Sequence, residues 1–429
     1  MSTPRPQPKL SQRAAWCHDS AISFLMQQGV ENPRVLSLAA GLVDQSSLPV
    51  AEVQAAVTEL FRDAERGRHV LQYGTSSGAE RLRGRLVEHV ARLEGAAPDQ
   101  LGIDIGQVVL TTGSQQLLSL VGEVLIDPGD IVFVAAPTYF VFLSVLQGVG
   151  ARVISIPADD DGMRMDLLEA ELARVEADGE LPRVKLIYLV SWFENPSGIS
   201  LSAERRQQVV EIADWWSKHG TIFILEDAAY RELRYDGPEL PSIWSFDPEH
   251  EHVILAQTFS KSFSPGLRVG YGVLPWNLVG PVCDRRGNDD FGSAHFNQHL
   301  LATVFDLGLY EPHAEKVRAT YRAKRDAMLQ AADRYFSHLP GVHWVHPHGG
   351  LYVWMTLPDQ IDTSFRGPLF DEAVHRQQVM YVPGDLCYAG AAGSRPNHQM
   401  RLSFGVQDVS GIDDGMQRLS RAVKCVWRG

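Results

Sequence analysis

From about residue 108 onward, short apolar runs alternate with amphipathic stretches. No other feature of the sequence limits the possible folds as strongly. The runs at 108–110, 131–135, 152–156, 184–190, 221–225 and 253–256 are rich in Val and Ile and bounded by Gly, Pro or Asp. Runs of this length without a polar alternation read as strands buried on both faces. Helical patterns lie between them at 117–126, 165–177 and 203–219, the last with Ser202 in capping position and Gly220 just past its end. The alternation predicts an α/β protein with a mostly parallel sheet flanked by helices, which gathers its ligands at the carboxyl ends of the strands.

A long helical stretch at 309–336 ends this pattern. Beyond it, 342–345, 351–355, 380–382 and 400–404 read as strands of a smaller α+β unit. The first 50 residues carry no core of their own and are expected to pack with that unit. The expected division is 1–50, a large domain over 51–310 and a small domain over 311–429. With 429 residues and 45% apolar content, two domains with full cores are affordable in area.

The net charge of -13, with no basic stripe, argues against nucleic acid as a partner. Cys17, Cys283, Cys387 and Cys425 form no C-x-x-C pair, which fits a reducing, cytoplasmic setting rather than a disulfide scaffold or zinc site. The first ten residues lack the apolar run of a secretion signal, and no stretch approaches the ~20 apolar residues of a membrane span.

The segment 257–271, QTFSKSFSPGLRVGY, is the most informative for chemistry. It places one of only seven lysines, Lys261, just after a predicted strand. A lysine amine becomes a nucleophile only when desolvation or neighbouring charge lowers its pKa. Thr258 and Ser260 offer hydroxyls to an anion such as a phosphate, and Arg268 offers a planar two-point grip. Read alone, the segment is also compatible with a surface loop carrying an ordinary lysine. Thr111–Gln115 joins a strand to a helix, so the backbone N–H groups around Gly113, Ser114 and Gln115 suit an anion, or simply cap the helix. Asp227 and Tyr230 follow another strand. Asn195 opens an Asn-Pro turn, and Tyr139 closes a third strand. Arg401 stands in the predicted strand 400–404, suited to a carboxylate or to a surface ion pair.

In this order the motifs resemble the fold-type-I aminotransferases that use pyridoxal 5′-phosphate (PLP), most closely the α-aminoadipate, kynurenine and aromatic aminotransferase branch. The resemblance runs from about residue 35 to 404. It implies a seven-stranded large-domain sheet and PLP held as an internal aldimine on Lys261. Arg268, Thr258, Ser260 and the Gly113–Ser114–Gln115 turn would bind the phosphate. Asp227 would hold the pyridine nitrogen protonated, Tyr230 and Asn195 would bond the phenolic oxygen, and Tyr139 would stack on the ring. Arg401, Asn195 and Gly41 would bind the substrate. Tyr73 would reach the phosphate of a partner subunit, which implies a homodimer. The implied reaction moves an amino group from an L-α-amino acid to a 2-oxo acid. A PLP-dependent lyase or cyclase is the alternative on the same residues. Ser191 and Ser197 depart from the family's usual Pro and Thr, which suggests an altered substrate range.

Other signals are weaker. Gly74–Gly78 matches G-x-S-x-G, but a charged helical stretch precedes it where a nucleophile elbow needs a buried strand. His343, His346 and His348, like His250 and His252, lack partners at metal-ligand spacing, so no metal is expected. Trp192, Phe193, Phe291 and Phe296 are candidates to line a substrate pocket, with core packing as the competing role. Too few residues precede Val35 for a DNA-binding module.

Overall fold

A computed structural model describes residues 9–16, 27, 32, 34–391 and 393–427; Cys17 and residues 1–8 lie outside these. The predicted runs become strands that, in most cases, can be satisfied only by full burial. The first strand is short, β1 (Leu36–Ser37). It is followed by β2 (Val108–Thr111), β3 (Ile131–Ala136), β4 (Arg152–Asp159), β5 (Gly162–Met163), β6 (Val184–Val190), β7 (Phe223–Asp227), β8 (Val253–Thr258) and β9 (Gly270–Val273). All residues of β7 and β8 are buried, so their backbone polar groups must pair within the sheet.

The large sheet runs β2-β9-β8-β7-β6-β3-β4-β5. Strands β8, β7, β6, β3 and β4 are parallel, whereas β9 pairs antiparallel with both β2 and β8. The expected seven strands therefore gain an eighth. It is the two-residue β5, which turns back antiparallel on β4 as a hairpin too short to announce itself by periodicity. Helix Ala203–Trp216 starts at Ser202, whose hydroxyl accepts from the Arg205 N–H at 3.4 Å.

The smaller sheet runs β10 (His343–Trp344), β11 (Tyr352–Thr356), β14 (Gln399–Ser403) and β13 (Val382–Pro383). The single run expected at 380–382 is split. Val379–Met380 forms β12, which pairs parallel with β1. The N-terminal segment is held there by more than this ladder. Asp44 accepts from Lys324 Nζ at 2.7 Å, on the long helix Tyr310–Phe336, and the Asp44 N–H donates to the Tyr321 hydroxyl at 2.9 Å. Burial opposes the charge on Asp44, but its bonds to Lys324 and Ser46 outweigh that and hold its pKa below the usual carboxylate value. Among the described residues no helix is long and apolar enough to cross a membrane.

Candidate active site

The site begins where β7 and β8 end. The last residue of β7 is Asp227 and the last of β8 is Thr258, so parallel pairing sets both side chains at one edge of the sheet. Asp227 is buried. It accepts from the Tyr188 hydroxyl and the Ala229 N–H, each at 3.1 Å, and forms no ion pair among the described residues. Burial raises its pKa to about 6, against the pull of those two donors.

The turn after β8 brings the next group together. The Thr258 hydroxyl donates to Ser260 Oγ at 2.9 Å, and Arg268 reaches Ser260 Oγ at 3.4 Å and the Thr112 carbonyl at 3.2 Å. Arg268 has a φ of 52°, a left-handed conformation uncommon for a residue with a Cβ. Its guanidinium lies against Gly113, where a Cβ would stand 2.8 Å from a guanidinium nitrogen, and Gly113 itself has a φ of 76°. Helix Ser114–Leu125 starts at this glycine, adding its positive dipole end. Strand β9 approaches as closely: a Cβ on Gly270 would lie 2.6 Å from the Ser114 nitrogen. Gly113, Ser114, Thr258, Ser260 and Arg268 thus form a donor-rich cluster suited to an anion. Tyr139 adjoins it and donates to Gln115 Oε1 at 3.3 Å.

Lys261 is half-buried, and its Nζ donates to the Gly41 carbonyl at 2.7 Å. Desolvation lowers its pKa below the ordinary lysine value against the pull of Tyr352, and Arg401 and Arg268 push the same way as burial. Two residues before Gly41, the Ala39 carbonyl accepts from Arg401 at 2.9 Å. The other terminal nitrogen of Arg401 donates to Asn195 Oδ1 at 2.7 Å. The segment 39–41 therefore sets an amine and a guanidinium side by side, although their residues lie 140 positions apart.

Tyr352 on β11 completes this wall. Arg401 lies 4.2 Å from its ring centre, and its hydroxyl is 3.1 Å from that of Tyr230. Burial opposes its ionisation, yet Arg401 and Lys261 draw its pKa below that of an ordinary tyrosine; burial keeps Tyr230 well above it.

Not every expected residue joins this cluster. Tyr73 lies apart from it, 83% exposed. Trp192 is buried beneath the Arg206 and Arg231 guanidiniums, and Phe193 is buried against Gly349 and Gly350. Phe291 is exposed, and Phe296 packs near Phe61. Ser76 sits in a turn after helix Ala64–Val70, not after a strand, so it is no nucleophile elbow. Ser191 and Ser197 serve buried carboxylates, Glu226 at 2.8 Å and Glu194 at 3.0 Å, which gives these departures a structural explanation. Of the functional-site neighbours, Tyr188, Ala39 and Tyr352 were missed as partners. Tyr188 could have been found only by pairing β6 with β7 in register, and Ala39 contributes a backbone carbonyl that no side-chain motif reveals.

A strand-edge lysine, a buried carboxylate without a cationic partner and an anion cradle define a cofactor-dependent enzyme of the doubly wound α/β type. The chain belongs to the family described as Aminotransferase class I and II, whose match spans residues 33–403. It is 33% identical over 416 residues to aromatic-amino-acid aminotransferase 1 of Thermococcus litoralis, covering 96% of this chain and 94% of that one. It is 33% identical over 397 residues to the 2-aminoadipate transaminase of Thermus thermophilus, covering 92% and 91%. The crystal structure of Pyrococcus horikoshii kynurenine aminotransferase in complex with PMP superposes with a TM-score of 0.88 at 32% identity, covering 98% of each chain. Its activity is amino-group transfer, and nothing in these likenesses favours a lyase or cyclase.

Proposed function

We propose that this chain transfers the amino group of an L-α-amino acid to a 2-oxo acid, using PLP carried on Lys261. The observation that carries this reading is the pair of bonds made by segment 39–41, which bring the Lys261 amine beside the Arg401 guanidinium. The residues fit the cofactor on three counts. The amine is desolvated, the cluster around Gly113 and Arg268 offers donors to a phosphate, and the Asp227 carboxylate, without an ion-pair partner among the described residues, suits a pyridinium N–H.

Thr258, Ser260, Arg268 and the Gly113–Ser114–Gln115 turn hold the phosphate. Asp227 would keep a proton on the pyridine nitrogen, Tyr230 and Asn195 would bond the phenolic oxygen, and Tyr139 would cover the ring. When bound, the cofactor supplies an electron sink for the charge left at the substrate Cα. Arg401 and Asn195 grip the substrate carboxylate, and Gly41 leaves room beside it. Lys261 would act as the general base that takes the proton from the substrate Cα. In this reading two copies form a homodimer, and the partner subunit's Tyr73 reaches the phosphate, which accounts for its exposure here. The chain divides into 1–50, 51–310 and 311–429 and works in the cytoplasm, as its free Cys283, Cys387 and Cys425 favour. The names of its relatives make aromatic amino acids, kynurenine and 2-aminoadipate the first substrates to try.

Borohydride reduction of the purified holoenzyme, followed by peptide mapping, tests this directly. The pyridoxyl label is expected on Lys261. A productive amino acid should convert the ~420 nm band to a ~330 nm band that a 2-oxo acid reverses. Lys261→Ala should lose both label and activity. A label elsewhere sinks the assignment of Lys261, and release of ammonia without the ~330 nm form sinks transamination.

A further inference from the structure

Three histidines outside the site converge between two helices. His295 and His299 stand four residues apart on helix His295–Asp306, so they share a face, and His69 reaches them from helix Ala64–Val70. One ligand nitrogen from each lies within 4.8 Å of the others. Nε2 of His295 and Nε2 of His299 are 3.1 Å apart. Two nitrogens bound to one tetrahedral zinc at ~2.0–2.1 Å lie about 3.3 Å from each other. The imidazole pair is therefore already close to the spacing that a shared ion would impose. The ring planes are steeply inclined in all three pairs, 71° to 80°, as separate ligands to one centre can be.

We infer that His69, His295 and His299 form a tris-imidazole site for a borderline divalent cation, zinc foremost, with a fourth position open to water. Imidazole nitrogen suits zinc, copper and nickel over calcium or magnesium. Three protein ligands are the number that leaves a tetrahedral ion one exchangeable position. Arg66 and Arg81 approach closely enough to oppose a cation, but each has a carboxylate partner, Glu59 at 3.3 Å and Asp306 respectively.

The site also has a consequence for its surroundings. His295 packs directly on Gly74, where a Cβ would lie 2.4 Å from Nδ1. An ion joining His69 to His295 and His299 would tie the helix before Leu71–Gly74 to the helix beneath it, and so brace the segment that carries Tyr73. The sequence expectation of no metal rested on His250 and His252 and on His343, His346 and His348. Of these His348 is occupied by Asp236, and this second set is legible only as a His-x-x-x-His spacing whose third member lies over 200 residues away.

The test uses untagged holoenzyme, titrated with Zn²⁺ in a metal buffer, with Co²⁺ as the spectroscopic probe. One equivalent per chain should bind, Co²⁺ should give the visible bands of a tetrahedral centre, and Zn²⁺ should raise Tm. His69→Ala, at an exposed position, should weaken binding by at least the ~10–100-fold that loss of an outer-shell partner costs, and should abolish the Tm rise without loss of the PLP absorbance. His299→Ala should do the same; if that buried variant does not fold, His69→Ala decides. Failure of the wild type to bind one equivalent overturns the inference, as does binding that survives His69→Ala unchanged.

Discussion

The two sides of the active site are built differently. The large-sheet side, with Asp227, Thr258, Ser260, Lys261 and Arg268, hangs on the ends of two adjacent buried strands and the turn after one of them. Its geometry follows from short covalent spacings on a rigid frame. The small-sheet side joins Arg401 of β14, Tyr352 of β11, Asn195 after β6 and the Ala39–Gly41 backbone. Its hydrogen bonds each span more than 100 residues and depend on how the N-terminal segment and small sheet sit on the large one, whereas Arg401 meets the Tyr352 ring across adjacent strands of the small sheet. In the proposed reading the first side holds the cofactor and the second takes the substrate.

Substitutions on the two sides should therefore fail in different ways. The largest effect is expected for Asp227→Asn, with kcat falling ~10³-fold, the scale of a lost group whose charge acts at the reacting centre. The same change should stabilise the cofactor-free chain. The folded-state pKa of Asp227, about 6, exceeds its ordinary value of 3.8, so the folded form holds the proton more tightly than the unfolded form. The stability of the apo-protein then falls as pH rises from about 4 to about 6 and levels off above. Asp227→Asn should gain about 1–3 kcal/mol at neutral pH and little at about pH 4. Urea titrations at the two pH values check this, and an equal gain at both would remove the charge argument.

Arg401→Ala should act on the other side. It should cut kcat/KM by ~10²-fold, mostly through KM, because it removes a buried charged partner of the carboxylate. The ~420 nm band should be unchanged. A shifted band would show that the two sides are not separable. Tyr352→Phe should have the smallest effect. Loss of one hydrogen bond, worth about 1 kcal/mol, predicts a ~5-fold fall in kcat/KM and a lower apparent pKa for the Lys261 amine, which Tyr352 raises. Steady-state kinetics across pH would measure it, and a loss above ~10²-fold would place Tyr352 in proton transfer itself.

Much of this contrast was visible before any coordinates. Helix Met165–Ala177 and strand Val184–Val190 fall where the apolar pattern put them, because burial on one face or on both leaves a period in the sequence. The residues of the turn after β8 could be read together because they are neighbours in the chain. The two-residue strand β5 and the split between β12 and β13 left no such trace, since elements that short are defined by their partners. Of the two roles open to the aromatic candidates, Trp192 and Phe193 take core packing. Trp192 and Phe193 follow the strand that leads to Asn195, but the cations over Trp192 and the glycines against Phe193 arrive from distant segments and draw both into the core.

What the sequence by itself determined was the order of buried strands and the chemistry of the turns between them, Lys261 above all. Hydrophobic periodicity and covalent spacing are local, and they survive without knowledge of neighbours. What only the tertiary structure decided was which distant groups meet: Arg401 with Asn195, Lys261 with the Gly41 carbonyl, Tyr230 with Tyr352, and three histidines on two helices. These contacts depend on strand register and helix packing, which are set by the whole core at once and by no single stretch of chain.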